Sequence, residues 1–139
     1  MLTGGAGYIG SHTAVELLAA GWDVVVVDDF SNSSPTALTR VGEIAAGLPG
    51  AGALRSHALD IGDTAALTEV LAGRVDAVVH FAGLKAVGES SEKPLDYYAN
   101  NVAGSLVLLQ AMQAAGVRTL VFSSSATVYG TPQFLPYTE

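Results

Sequence analysis

The sequence predicts an α/β fold with a doubly wound parallel sheet whose strands are covered by helices on both faces. Short apolar runs alternate with longer segments of helical periodicity along the whole chain. Of the 139 residues, 50% are hydrophobic and only 14% are charged, which suits strands that are buried on both faces. Such alternation implies parallel strands joined by right-handed crossovers. We therefore expect five strands in the order 3-2-1-4-5, within one domain that spans residues 1–139.

Five short segments that are rich in β-branched and other apolar side chains indicate the strands. The second of them contains four consecutive valines, a run typical of a strand covered on both sides. The third is less apolar than the others and predicts a weaker strand. In chain order the five segments are residues 1–3, 23–28, 54–59, 77–81 and 119–124.

Four segments with helical periodicity lie between these strands. Gly21 suits the position just after the first helix, where a left-handed backbone conformation is common. Ser34 and Pro35 suit the N-cap and the first position of the second helix, and Asp63 suits the N-cap of the third. The predicted helices comprise residues 8–20, 35–46, 63–72 and 94–115.

Composition and charge argue against several classes of protein. Six Lys and Arg against 13 Asp and Glu give a net charge of −7, which disfavours binding to nucleic acid or to an anionic membrane. The sequence has no cysteine and its three histidines are far apart, so we expect neither disulfides nor a metal site. No apolar stretch is long enough to span a bilayer and no secretory signal is visible, so we expect a cytoplasmic protein.

A ligand is expected beyond the carboxyl ends of the strands, where the strand order reverses between the first and fourth strands. Gly5, Gly7 and Gly10 fit the spacing G-x-G-x-x-G after the first strand, and Gly4 with the last two fits a variant with a wider first gap. Glycines permit a tight turn and a close approach of the backbone to a pyrophosphate. The phosphates would lie at the N-terminus of the following helix, whose free amides attract anions.

Asp28 ends the second strand and lies 18 residues after Gly10. A carboxylate at this position is expected to accept hydrogen bonds from the hydroxyls of an adenosine ribose. It would also repel a 2′-phosphate, and no Lys or Arg follows it before Arg40, so the sequence favours NAD over NADP. We expect the neighbouring Asp29 to be a solvated residue of the loop.

Two adjacent pairs of residues are candidates for which a purely structural role is the alternative. Asp60 and Ile61 end the third strand, where they would flank an adenine; otherwise they are a loop acid and a core Ile. Asn100 and Asn101 lie within a predicted helix, although Asn is a modest helix former. One of them would bond to backbone near the cofactor, unless the pair serves the fold alone.

The segment that leaves the fourth strand carries small residues and one lysine. Ala82 and Gly83 would let a cofactor approach the backbone, and Lys85 would reach a phosphate or a ribose. His80 lies inside an apolar strand, so we expect a core histidine with satisfied hydrogen bonds and not a catalytic one. Glu89 is also expected to have a structural role.

Hydroxyl side chains cluster in residues 122–130, after the fifth strand. We interpret Ser125 and Thr127 as groups that hydrogen-bond a substrate hydroxyl and assist its proton transfer. Because no histidine base lies nearby in the sequence, a serine nucleophile is not indicated.

Four stretches of the sequence resemble UDP-galactose 4-epimerases, which belong to the extended short-chain dehydrogenase/reductase superfamily. The resemblance covers essentially the whole chain. The glycine-rich stretch is shared by many relatives, whereas FAGLKAVGES is highly specific. The stretches are GGAGYIGSHT (4–13), FAGLKAVGES (81–90), KPL with the YY pair that follows it (93–98), and SSSATVYG (123–130).

The resemblance implies an NAD-binding Rossmann fold and a UDP-sugar substrate. In this family the sugar is oxidised at C4 by hydride transfer to NAD and reduced on its other face, which interconverts UDP-galactose and UDP-glucose. Ser125 matches the catalytic serine that hydrogen-bonds the 4-oxygen, Lys85 and Thr127 are also expected near the substrate, and the helix at 94–115 matches one that pairs two subunits in a homodimer. The positions expected to bind NAD are Gly4, Gly7, Tyr8, Ile9, Gly10, Asp28, Asn32, Ser33, Asp60, Ile61, Phe81, Ala82, Gly83, Lys85, Asn100 and Ser123.

The sequence departs from the family pattern at one motif. The family's catalytic base is the tyrosine of Tyr-x-x-x-Lys, and no tyrosine of this sequence has a lysine four residues later. That motif would lie shortly after Glu139, and relatives have several more apolar residues in the first strand. We therefore expect that the sequence is clipped at both ends, that a C-terminal substrate domain is missing, and that the chain alone is inactive.

Three other functions are alternatives. A sugar-nucleotide 4,6-dehydratase carries an Asp-Glu pair where this chain has Ala126 and Thr127, and elimination of water needs an acid there. A non-catalytic NAD-binding module, such as a sensor, has no need for a hydroxyl cluster near Lys85. An assembly unit would expose apolar surface and associate through it. The sequence favours the epimerase.

Overall fold

The computed structural model describes residues 1–130, apart from the side chains of residues 126 and 127. Within these residues five parallel strands form one sheet in the order β3-β2-β1-β4-β5, as predicted. Each strand lies inside the segment that the sequence indicated for it. The strands are β1 (Leu2–Thr3), β2 (Val24–Asp28), β3 (Leu54–Ala58), β4 (Ala77–His80) and β5 (Thr119–Phe122).

The first three helices begin and end close to the predicted positions. Gly21 has a φ of 84° just after the first helix, the Ser34 hydroxyl accepts a hydrogen bond from the Thr36 amide, and the Asp63 carboxylate accepts one from the Ala66 amide. The α-helices are α1 (Tyr8–Ala19), α2 (Pro35–Ala46), α3 (Thr64–Leu71), α4 (Val87–Glu92), α5 (Pro94–Tyr97) and α6 (Ser105–Ala115).

Residues 94–115 are helical throughout, as predicted, but they do not form a single α-helix. A π-helix, Tyr98–Gly104, separates α5 from α6 and contains both Asn100 and Asn101. The Ser105 hydroxyl donates to the Asn101 carbonyl at 2.7 Å, which satisfies an acceptor in the widened turn. The short helix α4 was not predicted either, because it lies in the segment that was interpreted only for its candidate site residues.

Two hydrophobic clusters form the core, one on each face of the sheet. Val26 and Val27 are both fully buried and belong to different clusters, as the valine run predicted. The first cluster packs α1 and α2 on the sheet, and the second packs α3 and α6. β3 and β5 are the edges of the sheet and are largely exposed. Among residues 1–130, no helix combines the length and apolar character needed to cross a membrane.

We expect Leu108→Ala to lower the free energy of unfolding by about 2–5 kcal/mol, because loss of its buried side chain leaves a cavity. Leu108 is 0% exposed in α6, whereas Ile44 in α2 is 50% exposed. Ile44→Ala is the control and should cost about 0.5 kcal/mol or less. Chemical denaturation followed by circular dichroism measures both. Equal losses would contradict the packing of α6 against the sheet.

Candidate functional site

Two adjoining cavities lie at the carboxyl edge of the sheet, where the topology predicted a ligand site. The first lies over the ends of β2 and β3, and the second, of about 450 Å³, lies over the ends of β4 and β5. The residues that line both are Gly4, Gly7, Ala82, Gly83 and Leu84. The two cavities therefore meet at the switch point between β1 and β4.

The glycine-rich turn after β1 is held in close backbone contact on two sides. Gly4 has a φ of 64°, and a Cβ atom there would lie 2.6 Å from the Ala82 amide nitrogen. A Cβ on Gly10 would lie 2.5 Å from the Gly4 carbonyl oxygen. Gly5 instead faces the core, against Val26, and lines neither cavity. Of the two spacings that fit the sequence, the structure thus selects Gly4, Gly7 and Gly10.

The N-terminus of α1 opens towards this turn with its amides free. Gly7 is the N-cap and provides no side chain to cap the helix. Among residues 1–130, the amides of Tyr8, Ile9 and Gly10 donate to no other group, since the first amide bonded to the cap is that of Ser11. Free amides at a helix N-terminus are suited to an anion such as a phosphate.

Asp28 is buried at the end of β2 and links the two loops that border the first cavity. Its Oδ2 accepts from the Ala6 amide at 2.8 Å, and its Oδ1 accepts from the Phe30 amide at 3.0 Å and the Ser33 hydroxyl at 2.7 Å. A carboxylate has about four lone-pair positions. Within the described contacts, Oδ2 therefore keeps one position for a hydroxyl of a ligand.

The loop after Asp28 adopts a strained conformation over the first cavity. Phe30 has a φ of 59°, which is uncommon for an aromatic residue and is found most often at functional sites. Asp29 is exposed and accepts from the amide and hydroxyl of Ser31 at 2.9 and 2.7 Å. This is the solvated loop acid that the sequence suggested, although Asp29 also lines the cavity.

Asp60 and Ile61 lie side by side on the far wall of the first cavity. Asp60 accepts from the Gly62 amide at 2.7 Å through Oδ1. Ile61 is buried and packs against the π-helix at Gly104, where a Cβ would lie only 2.9 Å from the Ile61 Cδ1 atom. The position of Ile61 in the cavity thus depends on the close approach of the π-helix.

The loop after β4 is clamped by an asparagine that the sequence did not single out from its neighbour. Asn101 donates through Nδ2 to the Leu84 carbonyl at 2.8 Å and accepts from the Leu84 amide at 2.8 Å. Asn100 donates to Asn101 Oδ1 at 2.8 Å and lines the first cavity. One Asn of the pair therefore bonds backbone beside the site, as expected. The π-helix that orients it has no recognisable sequence period.

The second cavity brings together Lys85 and the hydroxyl cluster after β5. Lys85 is the only Lys or Arg that lines either cavity within the described residues. Ser123, Ser124 and Ser125 line the same cavity. The side chain of Thr127, the other predicted substrate contact, lies outside the described residues.

The structure brings nearly all of the predicted cofactor positions to these two cavities. Tyr8 and Ser33 line neither, although Ser33 contacts the site through Asp28. The positions on the first cavity are Gly4, Gly7, Asp28, Asn32, Asp60, Ile61, Ala82, Gly83 and Asn100. Those on the second are Gly4, Gly7, Ile9, Gly10, Phe81, Ala82, Gly83, Lys85 and Ser123.

His80 and Glu89 have structural partners, as the sequence suggested. His80 is 3% exposed, and burial lowers the pKa of its imidazole. Hydrogen bonds from Lys93 and Tyr97, at 3.2 and 3.0 Å, lower the pKa of the Glu89 carboxyl. Tyr97 also bonds the backbone of Ala86, so this group joins α4 to α5.

The chain is similar over its whole length to proteins of known function. The model of the NAD dependent epimerase/dehydratase family matches residues 1–139. The UDP-glucose 4-epimerases of Pasteurella multocida and Bacillus subtilis are 56% and 53% identical over 140 residues, which are 100% of this chain. The chain spans about 40% of the length of these curated relatives.

Solved structures of the same group share the fold. The UDP-glucose 4-epimerase from Bifidobacterium longum in complex with NAD+ and UDP is 50% identical, with a TM-score of 0.91 over 99% of this chain and 40% of that one. The enzyme from Stenotrophomonas maltophila with bound NAD and formylated UDP-arabinopyranose is 47% identical, with a TM-score of 0.90 over 98% of this chain and 39% of that one.

We expect that Gly104→Ala does not stabilise the protein, in contrast to the replacement of a helical glycine that has free space at its Cβ position. Gly42 in α2 has no atom within 4 Å of the position that a Cβ would take, so Gly42→Ala should raise the free energy of unfolding by about 0.5–1 kcal/mol. At Gly104 the new methyl group meets Ile61, and the gain should vanish or reverse. Ile61→Val removes the Cδ1 atom that the new methyl group meets. Adding Gly104→Ala to Ile61→Val should therefore restore part of the gain in the free energy of unfolding. Equal effects in denaturation at both glycines would refute the contact.

Proposed function

Because the chain belongs to the NAD dependent epimerase/dehydratase family, we propose that it is the NAD-binding part of a UDP-glucose 4-epimerase. Residues 1–139 would form the NAD-binding domain, and the whole protein would interconvert UDP-galactose and UDP-glucose. The observation that carries this proposal is the meeting of the two cavities at Gly4 and Ala82, with Asp28 in one and Ser125 in the other. The relatives at 51–56% identity that are named UDP-glucose 4-epimerase support it.

The residues present fit NAD along the whole carboxyl edge of the sheet. Asp28 would hold the adenosine ribose through its remaining Oδ2 lone pair, and Asp60 with Ile61 would flank the adenine. The free amides at the start of α1 would bind the pyrophosphate. Bare glycine backbone at Gly4 leaves the phosphates room to approach.

The second cavity supplies part of what the sugar chemistry requires, since the Tyr-x-x-x-Lys motif that provides the base in this family is not found in residues 1–139. NAD, when bound, would supply the acceptor and the donor of the hydride that is exchanged with C4 of the sugar. Ser125 would hydrogen-bond the 4-oxygen and orient it towards a base elsewhere in the whole protein, which would take the hydroxyl proton and return it. Lys85 lines the same cavity and provides a positive charge beside the cofactor ribose or the substrate.

The whole protein is also proposed to be a cytoplasmic homodimer. The supporting observation is a set of exposed apolar side chains along α5, the π-helix and α6. Such side chains on a monomer are typical of an interface. They are Leu95, Tyr98, Val102, Leu106 and Leu109.

We expect Asp28→Ala to weaken NAD binding by about tenfold or more, because a hydrogen bond to a charged group is worth about 1.5–3 kcal/mol. Preference for NAD over NADP should fall at the same time, since the carboxylate that repels a 2′-phosphate is gone. Titration of the protein with NADH and NADPH, followed by nicotinamide fluorescence, measures both. Asp29→Ala, in the exposed neighbour, is the control and should keep the preference. An unchanged NAD:NADP ratio in Asp28→Ala would show that Asp28 is not the ribose ligand.

Ser125→Ala in the whole protein is expected to lower kcat for UDP-galactose on the order of 10²-fold, because a positioned hydrogen-bonding group in proton transfer is lost. KM should change much less. Ser124→Ala, which alters a neighbour in the same cavity, is the matched control and should lose far less activity. A wild-type protein that does not convert UDP-galactose refutes the proposed function. Full activity in Ser125→Ala refutes only the role of this serine.

A further inference from the structure

A chain of hydrogen bonds, buried at Thr3 and His80 and half-buried at Ser105 and Asn101, connects β1, β4 and the π-helix beside the two cavities. His80, at the end of β4, lies between two hydroxyl groups. Its Nδ1 is 2.5 Å from the Thr3 hydroxyl oxygen, and its Nε2 is 2.9 Å from the Ser105 hydroxyl oxygen. Thr3 is 0% exposed, so this chain is closed to solvent at its β1 end.

The hydrogen-bond partners assign each proton of this network when the imidazole is neutral, the form that burial favours by lowering the pKa of His80. The Ser105 hydroxyl donates its single proton to the Asn101 carbonyl at 2.7 Å, so it must accept from His80 Nε2–H. His80 Nδ1 is then unprotonated and accepts from the Thr3 hydroxyl. The Thr3 oxygen in turn accepts from the Ala82 amide at 3.4 Å. In this form the four hydrogen bonds all run in one direction, from the Ala82 amide to the Asn101 carbonyl.

Both ends of this hydrogen-bond network reach backbone that forms the cavities. Ala82, at one end, lines both of them. Asn101, at the other end, clamps the carbonyl and amide of Leu84 at 2.8 Å each. Lys85 follows directly, and Asn100 bonds to the same Asn101 side chain at 2.8 Å. These hydrogen bonds therefore hold the loop over residues 82–85 at two points, Ala82 and Leu84.

We propose that Thr3, His80, Ser105 and Asn101 are positioning residues that fix this loop, and hence Lys85 and Asn100, relative to the Gly4 turn. The inference rests on the proposed function, since the loop would border the bound cofactor. Thr3 and His80 line neither cavity, whereas Asn101 and Ser105 also line the second one. The four residues act through the backbone of Ala82 and Leu84, whose placement the reaction would depend on.

Two variants of Thr3 separate the hydroxyl group from the packing of this buried residue. Thr3→Val keeps the volume but removes the donor to His80 and the acceptor for the Ala82 amide. Thr3→Ser keeps the hydroxyl but loses a methyl group. A positioning role predicts that Val is the more damaging change, whereas a role in packing alone predicts that Ser is. Ser105→Ala interrupts the same chain at its other end and should resemble Thr3→Val.

The experiment uses the whole protein and measures both turnover and local exchange. In Thr3→Val we expect kcat for UDP-galactose to fall about tenfold or more, with KM within about twofold, because small misplacements slow chemistry more than binding. Amide hydrogen exchange over residues 81–86 should become faster in Thr3→Val than in wild type. Thr3→Ser should keep slow exchange and most of the turnover.

The outcomes separate this inference from the proposed function. A wild-type protein without epimerase activity refutes the function, while exchange at Leu84 still decides whether the chain positions the loop. Wild-type exchange in Thr3→Val overturns the inference, whether or not the protein is active. A larger loss in Thr3→Ser than in Thr3→Val, or a lowered Tm shared by both without faster exchange, also overturns it and assigns Thr3 to packing alone.

Discussion

The contact between the Gly4 turn and the backbone of Ala82, too close for any side chain, is the constraint on which the site depends. It joins the loops after β1 and β4 at the reversal of strand order, so the two cavities share one wall. Gly10 brings α1 against the same turn, which aims the free amides of that helix at the shared wall. On the other side of the glycine-rich turn, the Asp28 carboxylate accepts a hydrogen bond from the Ala6 amide and so holds the turn to the end of β2.

This construction explains how an acidic protein can offer a site for a dinucleotide. The chain carries a net charge of −7, and within the described residues Lys85 is the only cation that lines the cavities. Oriented backbone amides provide attraction for a phosphate at one place without creating a positive surface. A nucleic acid, which binds through many phosphates at once, finds no comparable row of cations on the described cavity walls.

The sequence predicts those features that depend on local pattern. The valine run, the cap at Asp63 and the glycine spacing each report a strand, a helix boundary or a turn within a few residues, and all three are confirmed. The π-helix was missed because it has no sequence period of its own, and the sequence could not tell which Asn of the pair bonds backbone, because Leu84 lies 17 residues from Asn101. Likewise, the sequence marked His80 as buried but could not name its partners, because Thr3 lies 77 residues away and Ser105, which follows the π-helix, lies 25 residues away.

The pairing of β1 with β4 also sets an order for how the molecule is made. The first core cluster uses residues 2–45 and can form from neighbouring segments, whereas joining β1 to β4 closes a loop of about 77 residues. Contacts of such long separation form slowly, and a chain emerging from the ribosome completes its N-terminal part first. The shared wall of the cavities therefore exists only after this closure. A ligand that contacts both cavities can bind only the complete fold. It therefore stabilises that fold and not the partly folded chain.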